Sequence, residues 1–145
     1  MKSHITVLLD RNIPKIYEGL SASLEMFELD EEDDRSIESR HWDWWAFPGP
    51  DTLNITDYEL IEKYPNENSE IRKNAAYVKN LPNEYWTTGI ICQNGDWFDT
   101  LDYEWDNDDH SSPINDKSNK KWKNKCKEVL RIHEKLICVQ VILHC

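Results

Sequence analysis

His4-Ile5-Thr6-Val7-Leu8-Leu9, followed by Asp10-Arg11-Asn12-Ile13-Pro14, decides the fold class. The first six residues are apolar almost throughout and of strand length, so they read as a buried strand. Asp10-Arg11-Asn12 reads as a turn, with Asn12 placed to cap a helix that has Pro14 in its first turn. Ile13, Ile16, Tyr17, Leu20, Leu24 and Phe27 then recur at helical spacing and give one apolar face. Gly19 weakens that helix by about 1 kcal/mol relative to alanine. A strand that feeds a helix is an α/β opening. Lys2 is the single basic residue before a short apolar run that Asp10 closes, which reads as a strand of the fold rather than a signal peptide.

Working outward, Leu136 to Leu143 is apolar and β-branched and reads as a second buried strand. Glu84 to Cys92 and Trp97 to Trp105 are rich in β-formers. Gln93-Asn94-Gly95-Asp96 stands between them, so a β-hairpin with its tip at Asn94-Gly95 is expected. A two-residue turn would set Cys92 opposite Trp97 and Ile90 opposite Asp99, although imperfect alternation also allows a bulge or longer loop. Thr56 and Glu59 have capping-box spacing, and Ile55 and Leu60 hydrophobic-staple spacing, for a short helix from Asp57 to Tyr64. A second helix starts near Asn68 or Ser69, carries Ile71, Ala75, Val78 and Leu81 on one side, and stops at Pro82. Trp122, Cys126, Val129, Leu130 and His133 mark one side of a last helix over 119–135, with lysines on the other. The expectation is one α+β domain over 1–145. It has a mixed sheet of about five strands (4–9, 41–47, 85–92, 97–104 and 137–143), packed by two main helices at 13–28 and 119–135. Residues 106–119 read as a flexible loop.

A chain of 145 residues supports one core. It has 17 Lys and Arg against 28 Asp and Glu, net −11, unevenly spread. Residues 1–116 carry net −17 and residues 117–145 net +6. An acidic body repels phosphate backbones, which argues against nucleic acid as a partner. It attracts a basic protein surface, and the basic C-terminal segment can pair with it within one chain or in a homodimer. No stretch approaches the ~20 apolar residues of a membrane span. Cys92, Cys126, Cys138 and Cys145 have no paired spacing, so they read as reduced thiols of a cytoplasmic protein.

The densest aromatic stretch is Arg40-His41-Trp42-Asp43-Trp44-Trp45-Ala46-Phe47-Pro48-Gly49-Pro50. As a strand it would carry aromatics on both faces, which calls for cover on both. It is either a core strand or a pocket wall. In the second case Arg40, His41, Trp42, Trp44 and Trp45 bind ligand, His41 serves as acid or base and Asp43 orients it. Ser39, His41, Trp42, Trp44, Trp45, Phe47 and Pro48 resemble the His-Trp-x-Trp-aromatic-x-Phe-Pro motif of an uncharacterised bacterial domain family. Arg40 is inserted between Ser39 and His41, and Gly49 replaces the family's glutamine. The resemblance places His41 and Trp42 in a site and implies no reaction.

Other chemistry finds little material. Asp106, Asp108, Asp109 and His110 lack the glycine and distant glutamate of a calcium loop. The cysteines and histidines near the C-terminus lack zinc spacing. With four glycines in the chain there is no phosphate-cradling loop, and no nucleophile elbow is present. No cofactor or metal is implied. Two functions follow. One is a binding module of the inhibitor or immunity type, meeting a basic protein through Glu28, Asp30, Glu31, Glu32, Asp33, Asp34, Asp106, Asp108 and Asp109. The other is a small-molecule binding protein or enzyme, taking a nucleotide- or sugar-like ligand at Arg40–Phe47.

Overall fold

The computed structural model describes residues 2–27, 44–49, 52–99 and 116–144. Its centre is β1 (Lys2–Leu9), the strand read from the opening apolar run. On one side β1 pairs antiparallel with β6 (Ile137–His144) along its whole length, Lys2 opposite His144 and Leu9 opposite Ile137. On the other it pairs parallel with β4 (Gly89–Ile91), which pairs antiparallel with β5 (Trp97–Asp99). The outer edge of β6 is shared by two short strands: β2 (Trp44–Ala46) at residues 142–144 and β3 (Ala75–Tyr77) at residues 137–139. The result is an α+β fold with one open mixed sheet of six strands.

The two-residue period of the strands sorts side chains onto two faces. Ile5, Val7, Leu9, Ile137, Val139, Val141 and Leu143 point to one. They are buried with Ile16, Leu20 and Leu24 of α1 (Ile16–Glu25), Leu60 of α2 (Tyr58–Lys63) and Ile71 of α3 (Ser69–Asn74). Leu8, Ile90 and Cys138 point to the other, under Trp122, Cys126, Val129 and Leu130 of α4 (Asp116–Ile132). Helices therefore cover both faces.

Several local expectations change. The first turn of α1 begins at Ile16, not at the Asn12 cap. Lys15 gives no side-chain cap, and the Ile16 N–H donates instead to Glu67 Oε1 at 2.7 Å. Asn12 donates its own N–H to Asp10 Oδ1 at 2.8 Å and stays in the turn. Gly19 has a packing reason, because a Cβ there would collide with the Ile13 side chain. The cap of α2 is Asp57 rather than Thr56. Its Oδ1 accepts from Glu59 N at 3.0 Å and its Oδ2 from Tyr77 N at 3.0 Å. Ile55 and Leu60 form no staple; they lie in different apolar clusters. The helix expected to reach Pro82 ends at Asn74, and Ala75–Tyr77 turn into β3 before a single 3-10 turn at Val78–Asn80. Pairing with β6 wins because it satisfies the buried backbone of that edge.

The hairpin at Asn94-Gly95 is present, with a five-residue loop in place of the two-residue turn. Ile91 faces Trp97 and Ile90 faces Phe98, one step from the two-residue register. The loop closes through Gly95 N to Cys92 O at 3.0 Å, and Gly95 takes a positive φ of 93° that favours glycine. At its start, α4 reaches back to Asp116, so 116–119 are helical rather than loop; 106–115 lie outside the described residues.

Candidate functional site

The face under α4 differs from its opposite in burying polar groups. His4, Thr6 and Leu8 share it on β1, and Cys138, Gln140 and Ile142 share it on β6, with Thr6 directly opposite Gln140. Thr6, Thr87 and Gln140 are each almost wholly buried. Buried polar atoms must be hydrogen-bonded, and here two directed chains do it.

The first chain runs from Cys138 to the backbone carbonyl of Gly89 and is satisfied along its length. Thr87 Oγ1 donates to Gly89 O at 2.8 Å, so its single proton is used and it accepts from Thr6 Oγ1 at 2.8 Å. Thr6 in turn accepts from the Tyr85 hydroxyl at 2.8 Å, and Cys138 Sγ donates to that hydroxyl at 3.5 Å. Burial pushes the Cys138 thiol up to about 12 and raises Tyr85 well above the usual phenol value, so both stay protonated, as donors must. Trp122 Nε1 donates to Thr87 O at 2.7 Å and fixes α4 over the chain.

The second chain has an open end. Asn74 Nδ2 donates to the backbone carbonyl of Glu70 at 2.9 Å, which turns Asn74 Oδ1 the other way as an acceptor. Gln140 Nε2 donates both to that oxygen at 3.1 Å and to Leu53 O at 3.0 Å. A flipped Gln140 amide would set oxygen against two acceptors, so Oε1 must face His4 Nε2, 3.0 Å away. His4 Nε2 is therefore the protonated nitrogen. Nδ1 makes no hydrogen bond among the described residues and keeps its lone pair. Desolvation by burial, partly offset by the Gln140 hydrogen bond, lowers the imidazole below its ordinary value and keeps it neutral. Such a nitrogen can accept a hydrogen bond or take a proton.

His4 lines a cleft of about 530 Å³ with Leu53, Glu84, Tyr85, Trp86 and Thr88. Its ring meets Tyr85 edge-on at 6.4 Å, and its backbone carbonyl accepts from both Thr88 N and Thr88 Oγ1 at 2.9 Å. A cleft of about 430 Å³ lies beyond Thr52 and Leu53 and is lined by Asn74 and Glu70, so the second chain runs between two clefts. Another of about 550 Å³, between Pro14–Glu18 and Lys63–Glu67, is walled almost wholly by exposed side chains.

Of the residues expected to bind ligand, Trp44 and Trp45 are described and point to opposite faces. Trp45 is half-buried against the α1 side, 6.2 Å from Tyr17 and 5.3 Å from Phe47. Trp44 stacks on His144 at 5.0 Å and 8° and remains 40% exposed. Ala46 is exposed beside it. Arg40, His41, Trp42 and Asp43 lie outside the described residues, as do Glu28, Asp30, Glu31, Glu32, Asp33 and Asp34 and Asp106, Asp108 and Asp109. Cys92, Cys126 and Cys138 are free and buried. No group of three or more metal-ligating side chains occurs among the described residues, and no helix there is long and apolar enough to cross a membrane.

Sequence reading missed His4, Tyr85, Thr87 and Gln140. The available signal was polarity on one side of two otherwise apolar strands: His4 and Thr6 two apart on β1, and Gln140 alone in β6. Comparison with protein-family models, curated proteins and solved structures finds no match to this chain.

Proposed function

We propose that this chain is a small-molecule binding protein whose ligand sits in the cleft walled by His4, Tyr85 and Trp86. The observation that carries this reading is the neutral His4 held by Gln140 with Nδ1 unengaged at the cleft. A buried polar chain costs folding free energy unless every member is satisfied, and this one ends at a lone pair that a ligand can complete. The cleft also falls within the ~300–1,000 Å³ of ordinary ligand pockets, with Tyr85 and Trp86 as its aromatic wall and His4, Thr52, Glu84, Thr87 and Thr88 as its polar lining. The pocket expected at Arg40–Phe47 is a separate location, and Arg40 to Asp43 lie outside the described residues. A thermal-shift screen of polar metabolites tests it, run on the wild type and on His4→Phe, which keeps a ring and removes Nδ1. Binders that stabilise the wild type and not the variant support the reading. Binders indifferent to His4 would sink it.

A second reading rests on charge. With net −17 before residue 117, the chain suits a protein-binding module, of inhibitor or immunity type, for a basic partner, steered by Glu28, Asp30 to Asp34, and Asp106, Asp108 and Asp109. Pull-downs at low and high salt, with Asp30 to Asp34 neutralised in one variant, test it. One stoichiometric basic partner, lost on neutralisation or in high salt, is expected.

A further inference from the structure

We infer that the cleft is an acceptor site, taking neutral or cationic ligands that donate an N–H or O–H to His4 Nδ1 and discriminating against deprotonated anions. This deepens the binding reading above and rests on it. Every hydrogen bond of the second chain points the same way: His4 Nε2 to Gln140 Oε1, Gln140 Nε2 to Asn74 Oδ1, Asn74 Nδ2 to Glu70 O. The direction is set at the far end by a backbone carbonyl, which can only accept, and reinforced midway by a second one, Leu53 O. Aligned bonds of this kind polarise one another. What remains at the cleft end is an acceptor. A carboxylate or sulfate there, with acceptors only, would set lone pair against lone pair. It would also meet Glu84, the single charged side chain among the described residues that line the cleft. An amide, a lactam-type heterocycle or a guanidinium offers the donor that the site lacks. Gln140 is in these terms a positioning residue: it fixes the tautomer and touches no ligand.

The test uses the full chain with ¹⁵N-labelled histidine. Long-range NMR spectra report which ring nitrogen of each of the five histidines is protonated, and His4 is assigned by the signal lost in His4→Phe. The expected result is a neutral His4 with Nε2 protonated and Nδ1 bare. Acetamide, uracil and methylguanidinium should shift Nδ1 on titration, and acetate and sulfate, which carry no donor, should bind at least about tenfold more weakly. In Gln140→Leu the tautomer preference should disappear. An Nδ1-protonated His4 in the wild type, or anions binding as tightly as the donors, would overturn the ligand class alone. The expected tautomer with no probe of either kind shifting Nδ1 would overturn the binding reading, and the ligand class with it.

Discussion

The two faces of the sheet share their strands and both bury an apolar cluster, but the face under α4 also buries a network of polar strand side chains. Under α1, α2 and α3 the contacts are aliphatic: Ile5, Val7, Val139, Val141 and Leu143 against Leu20, Leu24 and Leu60. Under α4 the same strands present His4, Thr6 and Gln140, and the burial is paired with hydrogen bonds rather than with apolar packing alone. An apolar face contributes stability by excluding water, roughly 25 cal/mol per Å² of apolar surface, and needs no particular partner. A polar face contributes little net stability and demands definite geometry. Within that face the satisfied Thr6 chain serves the fold, and the open His4 chain leaves an acceptor for something else.

The largest effect should come from the apolar face. Leu20 is wholly buried there, and Leu20→Ala should lower unfolding free energy by about 2–5 kcal/mol in urea titrations, through lost transfer energy and a cavity. If the faces are as distinct as argued, ligand affinity at His4 should survive that change in conditions where the variant is folded. Next is Gln140→Leu, expected to cost about 1–3 kcal/mol for each buried group left without a partner, and to abolish selective binding as well. Thr6→Val separates the two chains. It leaves the buried Tyr85 hydroxyl without its acceptor, again at about 1–3 kcal/mol, while Thr87 keeps its bond to Gly89 O and the His4–Gln140 contact stays intact. It should reduce stability more than it reduces affinity; the reverse would show that both chains serve the site.

The pH dependence follows from His4. Its folded-state pKa lies below the ordinary 6.5, so as pH falls the unfolded chain takes the proton first. The contribution is fully present above about pH 6.5 and is lost as pH drops from there through the lowered folded value. Urea midpoints measured between pH 7.5 and 5.5 should fall for the wild type and flatten for His4→Phe. Smallest is Trp44→Ala: with Trp44 40% exposed and stacked on His144, the loss should not exceed about 1.5 kcal/mol.

Much of the frame was legible in the sequence, because β1 and β6 carry nearly continuous apolar runs, α4 carries a one-sided apolar pattern, and Asn94-Gly95 marks its hairpin. Ala75-Ala76-Tyr77 was not, since nothing local tells a helix end from a strand that a distant partner recruits. The cap of α1 came from Glu67, 51 residues away, for the same reason. The site was hidden more deeply. His4 and Gln140 are 136 positions apart, His4 at the polar start of β1 and Gln140 inside the apolar run of β6, and only the β1–β6 register makes them neighbours. Aromatic density drew attention to 40–48 instead. Of the tryptophans described there, one packs against the apolar face and the other lies on the open end of the sheet.

The most direct measurement is a crystal structure of the wild-type chain grown with the tightest neutral donor from the thermal-shift screen. The expected result is that molecule in the cleft between His4 and Trp86, with an N–H or O–H about 2.7–3.2 Å from Nδ1 and Gln140 unmoved. A ligand bound elsewhere with the cleft filled by ordered water, or one in the cleft that presents an acceptor to a protonated Nδ1, would contradict it.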